Sequence, residues 1–223
     1  MIKTKKQGLL IVLSGPSGSG KNTVCDIVKQ NNKNIWESIS MTSRKPRKNE
    51  IEGQSYYFVS ETEFENKIKN NKMLEYAKFA GNYYGTPKEE VQKHLDEGYD
   101  VILVIEIQGA LQIKKKLDEA LFVFLLPPSM EELQKRLKLR NTESEEKVME
   151  RFKTAYNEIN ELTKYNYVII NDDKTDAASK LEAIIKAERC RVDRIEEVFL
   201  DNPEEKIHED LSNKKLKNNP LKL

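Results

Sequence analysis

Residues 9–14, Leu-Leu-Ile-Val-Leu-Ser, run straight into Gly15-Pro16-Ser17-Gly18-Ser19-Gly20-Lys21-Asn22-Thr23, and this junction limits what the chain can fold into. An unbroken apolar run of strand length reads as a strand buried on both faces, as in a parallel sheet covered by helices. The glycines after it let backbone N–H groups turn inward around an anion. A helix starting near Asn22 adds the partial positive charge of its first turn, and Lys21 supplies a mobile cation. A dinucleotide-binding turn does not need that lysine. Strand, loop and helix together predict a cradle for the phosphates of a nucleoside triphosphate at residues 15–23.

Four more short apolar runs, at residues 35–40, 101–107, 121–126 and 167–171, alternate with helical segments. The expected class is α/β, with a parallel five-stranded sheet flanked by helices and an inserted mixed region at about 40–100. Ser60, Thr86, Ser129 and Thr142 each stand three residues before a glutamate, which predicts four capped helix starts, and Pro87 adds a favoured first-turn proline. From Asp176 onward Leu181, Ile184, Ile185, Val192, Ile195 and Phe199 recur at helical spacing and predict one long closing helix before a charged tail at about 201–223.

Composition narrows the partners. Charged residues make up 34% of the 223, but 38 Lys+Arg against 37 Asp+Glu leave a formal charge of +1, so no global field draws the chain to nucleic acid or anionic membrane. With no apolar run of membrane length and no signal-peptide layout, the expected location is cytoplasmic. Cys25 and Cys190 have no metal-ligand spacing and read as small buried thiols; His94 and His208 read as solvated.

The remaining motifs address a second substrate. Ser40 to Arg47 ends a strand with two arginines three apart, Arg44 and Arg47. Then come Glu50, Gly53, Tyr56-Tyr57-Phe58, Leu74-Glu75 and Gly81-Asn82-Tyr83-Tyr84-Gly85-Thr86. Taken alone, Arg-Lys-Pro-Arg reads as a solvated pair at a proline turn, and Glu75 is as well explained by an exposed strand carboxylate as by a ligand. Further along stand Ile105-Glu106-Ile107-Gln108-Gly109-Ala110, Leu126-Pro127-Pro128-Ser129, Arg136, Arg140, Arg151 and Val168-Ile169-Ile170-Asn171-Asp172-Asp173. In this order and spacing the chain, over roughly residues 8–200, resembles the guanylate kinase family.

The resemblance implies ATP-dependent phosphorylation of GMP, and dGMP, to GDP with Mg2+. It also implies a core at about 1–39, 101–129 and 163–200, a GMP-binding insertion at about 40–100 and a helical lid at about 130–162. Ser40, Arg44, Arg47, Glu50, Tyr56, Glu75, Tyr84, Thr86 and Glu106 become the GMP site, with Glu75 accepting from the guanine N1–H and 2-amino group. Residues 15–23 with Arg136, Arg140 and Asn171 become the ATP site, Asn171 beside the adenine or, on its own, simply an Asn-Asp turn. Lys21, Arg44, Arg136, Arg140 and Arg151 become the catalytic cations. Asn22 stands where the family has a hydroxyl residue, Val104 where it has an acid and Asn141 where it has a glycine. The metal is expected at Asn22 and Glu106, partly through water, with Glu106 buried in an apolar strand beside Lys21. The chain is expected as a monomer or homodimer. The competing readings are a peptide-binding module of the same fold, against which Lys21, Arg44, Arg47 and the lid arginines stand, and a different nucleotide kinase or GTPase, from which the Glu75 segment separates the guanylate kinase reading.

Overall fold

Alternation inside the apolar runs decides the layers. The computed structural model describes residues 2–4, 7–117, 119–139 and 145–198. Five strands, β2 (Leu10–Ser14), β3 (Ile35–Glu37), β8 (Asp100–Val104), β9 (Leu121–Leu126) and β10 (Tyr167–Ile170), form the expected parallel sheet in the order β10-β9-β2-β8-β3. Parallel neighbours need crossovers, and helices supply them. Successive residues of β2 face opposite ways. Ile11 and Leu13, with Val123 and Leu125, meet Val24 and Val28 of α1 (Lys21–Asn31) and Leu181 and Ile185 of α7 (Lys174–Arg189). Leu10 and Val12, with Val101, Leu103 and Phe122, meet Val91 and Leu95 of α3 (Lys88–Asp96) and Ala110 and Ile113 of α4 (Ile107–Lys114). Each buried Val, Leu, Ile or Phe among them contributes roughly 1.5–3 kcal/mol relative to exposure.

A second sheet lies in sequence between β3 and β8. Its strands β4 (Met41–Thr42), β5 (Tyr57–Phe58), β6 (Met73–Phe79) and β7 (Asn82–Pro87) are ordered β5-β4-β7-β6. The helix α2 (Glu61–Lys69) packs on it through Phe64, against Met41 and Met73. This small sheet is tied to the core through α4. Gln112 accepts from the Tyr76 N–H at 3.2 Å and donates to the Tyr76 carbonyl at 2.8 Å, while Lys116 donates to the Leu74 carbonyl at 3.0 Å. Two further helices, α5 (Met130–Leu139) and α6 (Glu145–Ile159), pack together through Leu133, Leu137 and Ala155.

The caps at Ser60 and Ser129 form as expected, each hydroxyl accepting from the N–H three residues on at 3.1 Å. Thr86 instead donates its hydroxyl to Glu75, and α3 starts at Pro87 without a side-chain cap. The apolar run at 35–40 is split: β3 ends at Glu37, and Met41–Thr42 joins the other sheet. The long closing helix is corrected too. α7 stops at Arg189, Arg191 takes an extended conformation, and β11 (Ile195–Val198) pairs antiparallel with β1 (Ile2–Thr4), so Val192 and Ile195 do not continue the helical stripe. Cys25 is buried but Cys190 is exposed. His94 is not simply solvated: it stacks on Trp36 with ring centroids 3.8 Å apart. Thr142, Phe199, His208 and the tail at 201–223 lie outside the described residues.

Candidate active site

In an open parallel sheet, ligands bind beyond the carboxyl ends of the strands. Here that edge carries Gly15 after β2, Glu106 after β8 and Asn171 after β10. Gly15 has φ 146°, and a Cβ there would sit 2.2 Å from the Leu125 carbonyl oxygen, so only glycine lets the chain leave β2 past β9. Within the loop the Ser19 N–H donates to the Pro16 carbonyl at 3.1 Å. Gly20, in the left-handed region, opens α1 without a side-chain cap, which leaves the helix N-terminus suited to an anion. Lys21 is 7% exposed, and its ammonium lies over the loop, donating to the carbonyls of Gly15 at 2.6 Å and Pro16 at 3.3 Å. Asn22 and Thr23 are exposed in the first turn.

Glu106 requires a correction. It is not buried in β8 but is the residue from which α4 starts, with its side chain 68% exposed and Oε1 4.0 Å from Lys21 Nζ. The strand ends at Val104, so the carboxylate reaches the rim and no burial penalty arises. Its neighbourhood with Lys21 is as read.

The small sheet gathers most of the second set. Arg44 is held by a bidentate pair to Glu50, Nη1 to Oε2 and Nη2 to Oε1, both at 2.9 Å. The Arg47 N–H also donates to Glu50 at 2.6 Å, and together these bonds hold the Glu50 carboxyl down to about 2, the Arg44 bond foremost. Glu50 thereby holds the Arg44 guanidinium in place. The guanidinium stands 5.5 Å from the centroid of the Tyr56 ring, and Tyr56 and Tyr84 meet edge to face at 6.1 Å. The buried Arg44 Nε has no hydrogen-bond partner among the described residues. The Arg47 side chain is exposed, and its charge acts on Glu50 and Tyr56.

Glu75 is 6% exposed, its Oε1 accepting from the Thr86 hydroxyl at 2.7 Å. Burial raises its carboxyl above the ordinary value, the Thr86 bonds opposing. On α4, a Cβ at Gly109 would lie 2.6 Å from Glu75 Oε2, so this glycine makes room for the carboxylate, a role the sequence reading did not assign. Ser40 precedes β4 and is half-buried.

On α5, Arg136 donates from Nε to Glu132 at 2.9 Å and from Nη2 to the Asn171 carbonyl at 3.1 Å. Leu133 and Leu137 of the same helix lie 3.1 Å from where a Cβ at Gly18 would stand, so α5 rests on the phosphate loop. Asn171 is 4% exposed and donates from Nδ2 to the Ser19 carbonyl at 2.7 Å. Arg140 and the side chain of Arg151, which belongs to α6, lie outside the described residues. Sequence reasoning missed Glu158 of α6. Its carboxyl is pushed up to about 7, chiefly by burial and then by Glu106, with Lys21 opposing. The available signal was its place three residues after Ala155, on the buried stripe of the helix.

The described residues hold no cluster of three or more His, Cys, Asp or Glu able to cage a metal. This donor set suits magnesium, which takes most of its ligands from phosphates and water and one or two from the protein; exposed Glu106 beside Lys21 is a carboxylate of that kind. No helix among the described residues is long and apolar enough to cross a membrane.

The sequence profile described as Guanylate kinase matches residues 7–188. The chain is 58% identical over 206 residues to "Guanylate kinase" of Clostridium tetani, covering 92% of this chain and 99% of that protein. It is 55% identical over 203 residues to "Guanylate kinase" of Caldanaerobacter subterraneus subsp. tengcongensis, covering 91% and 98%. The crystal structure of guanylate kinase from Anaplasma phagocytophilum superposes with a TM-score of 0.69 at 35% identity, covering 86% of this chain and 92% of that one. By sequence profile, by close relatives over nearly its whole length and by fold, the chain belongs to the guanylate kinase family.

Proposed function

We propose that this chain transfers the γ-phosphoryl group of ATP to GMP, and to dGMP, giving ADP and GDP. The observation that carries this reading is Glu75. It is a buried carboxylate on β6 paired with Thr86 on β7, in the small sheet whose β4 leads into Arg44, and it abuts Gly109 of α4. A carboxylate accepts from both guanine N1–H and the 2-amino group, a donor pair adenine lacks, and leaving it unmatched in a buried site costs strongly. Arg44, aimed by Glu50, with Tyr56, Tyr84 and Arg47 clamps the acceptor phosphate by charge-assisted bonds. Residues 40–100 serve as the acceptor-binding insertion and 130–162 as the lid; Arg136, Arg140 and Arg151 bring positive charge from the lid.

The loop N–H groups and Lys21 hold the donor phosphates. An oxygen of the GMP phosphate attacks the γ-phosphorus in line; the bond to the β–γ bridging oxygen breaks, and its electron pair leaves with ADP. The attacking oxygen is already anionic, so no general base is needed, and the residues act by positioning and by neutralising charge. Glu106, with Asn22 or a water, would hold magnesium, which when bound neutralises charge on the phosphate oxygens. Closure of lid and insertion excludes the water that would otherwise hydrolyse ATP. The substrates are small molecules, the site works without nucleic acid or membrane, and a cytoplasmic monomer or homodimer meets these needs.

A coupled assay with ATP and each of GMP, dGMP, AMP, CMP, UMP and dTMP tests the reading. Turnover confined to GMP and dGMP is expected; absence of turnover with GMP overturns it.

A further inference from the structure

The resemblance sets Asn171 beside the adenine, yet its carboxamide nitrogen is engaged elsewhere. Nδ2 donates to the Ser19 carbonyl across 2.7 Å in a buried contact that spans 152 residues of sequence. The main chain of Asn171 is itself fixed on both sides: its N–H donates to the Leu126 carbonyl at the end of β9 at 2.7 Å, and its carbonyl accepts from Arg136 at 3.1 Å. Gly20 completes the fit, because a Cβ there would stand 2.3 Å from Asn171 Nδ2, so the glycine is what lets the amide reach the loop. The Ser19–Gly20 peptide is trans, and in a trans peptide the C=O and the following N–H point in opposite directions. Drawing the Ser19 carbonyl toward Asn171 therefore turns the Gly20 N–H the other way. Gly20 is the residue before Lys21, where α1 begins, so that N–H belongs to the loop's anion-binding set.

We propose that Asn171 is a positioning residue for the donor phosphates: by holding the Ser19 carbonyl it fixes the Ser19–Gly20 peptide with its N–H toward the phosphate, whatever base the donor carries. This deepens the ATP-site reading and rests on it. Part of the donor phosphate affinity thus comes from the tip of β10, and Arg136 of α5 is tied to the same residue. A base contact and a peptide brace predict different losses, so donors with and without a base separate them.

The test compares wild type with Asn171→Asp, which keeps the shape but cannot donate to a carbonyl when ionised, and with Asn171→Ser as a second, uncharged variant. Binding of inorganic tripolyphosphate is measured by titration calorimetry, which needs no turnover, and KM is measured for ATP, GTP as alternative donor, and GMP. Both variants are expected to weaken tripolyphosphate and ATP by the same factor, about tenfold for one buried hydrogen bond. The ATP-to-GTP preference and the KM for GMP are expected to stay within about twofold, which also certifies folding. A raised KM for ATP with unchanged tripolyphosphate binding, or a selective fall in ATP over GTP, overturns the brace in favour of a base contact. Unchanged binding of all donors overturns it as well. Wild-type protein that binds tripolyphosphate but does not phosphorylate GMP would instead remove the functional reading and leave the brace standing on the calorimetry alone.

Discussion

At the scale of single residues the carboxylate proposed to read the base is the most exacting feature. Glu75 is buried with one oxygen on Thr86 and the other against α4, so Glu75→Gln keeps the volume but replaces an acceptor with a donor that faces the guanine donors. GMP turnover, as kcat/KM, should fall about 100-fold or more while AMP gains relative to GMP; an unchanged GMP-to-AMP ratio in the coupled assay would refute the assignment. Burial lifts this carboxyl above its ordinary 4.5 in the free protein. The guanine donors select its ionised form, so GMP binding releases a proton wherever the free carboxyl is protonated, and affinity weakens as pH falls toward 4.5. Calorimetry in two buffers of different ionisation enthalpy would register the proton, and Glu75→Gln should abolish the difference.

Whole elements impose further conditions. The α4 helix approaches β6 closely enough that Gly109→Ala would place a methyl 2.6 Å from Glu75 Oε2. The carboxylate must then move off Thr86, and the KM for GMP should rise about tenfold with the KM for ATP unchanged; equal changes in both would mean a general loss of folding instead. α6 offers a test in the substrate-free protein. Glu158 has its carboxyl raised to about 7, so between 4.5 and 7 the folded chain keeps a proton that the unfolded chain has already released. Stability from this group is thus full at low pH and is lost as pH rises through 7. Solvent screens the half-buried group, leaving on the order of 1 kcal/mol, or about 2–4 °C in Tm. Melts at pH 5.5 and 8 should show Glu158→Gln gaining on the parent more at pH 8 than at pH 5.5; parallel curves would exclude the linkage.

These elements also mark what the sequence could reveal. The strand–loop–helix junction at Gly15 was legible because composition, spacing and local structure all carry the same signal there. The end of α7 was not, since Val192 and Ile195 satisfy a helical period as well as an edge strand pairing with β1, and only the partner decides. Glu106 was misjudged as buried because an apolar run gives no sign of where its strand stops. The Glu50 brace on Arg44, the space at Gly109 and the Asn171 contact with Ser19 join residues from different elements or depend on side-chain reach, which no spacing rule encodes.

For the molecule as a whole, the attachment of the small sheet sets how it moves. Its β6 edge is bound to α4 by the paired Gln112–Tyr76 bonds and by Lys116, whereas Arg44 follows β4, beyond the break after Glu37 where the chain leaves the central sheet. The proposed base-reading end is thus anchored to the core, and the proposed phosphate clamp lies away from that anchor. On the other side α5 already rests on Gly18 and holds Asn171. On the proposed assignment, bringing an acceptor dianion within reach of a γ-phosphate that carries the same sign requires the clamp and the lid arginines to converge together, since either cation set alone leaves repulsion between the substrates. Closure should therefore be synergistic. Small-angle scattering of the protein, for which a compact chain of this length gives a radius of gyration of about 17 Å, should show a contraction of roughly 1 Å with GMP and a non-hydrolysable ATP analogue together. The sum of the changes with either ligand alone should be smaller. Additive contraction would mean that the two sites close independently, and no contraction with both bound would mean that the site is formed without domain movement.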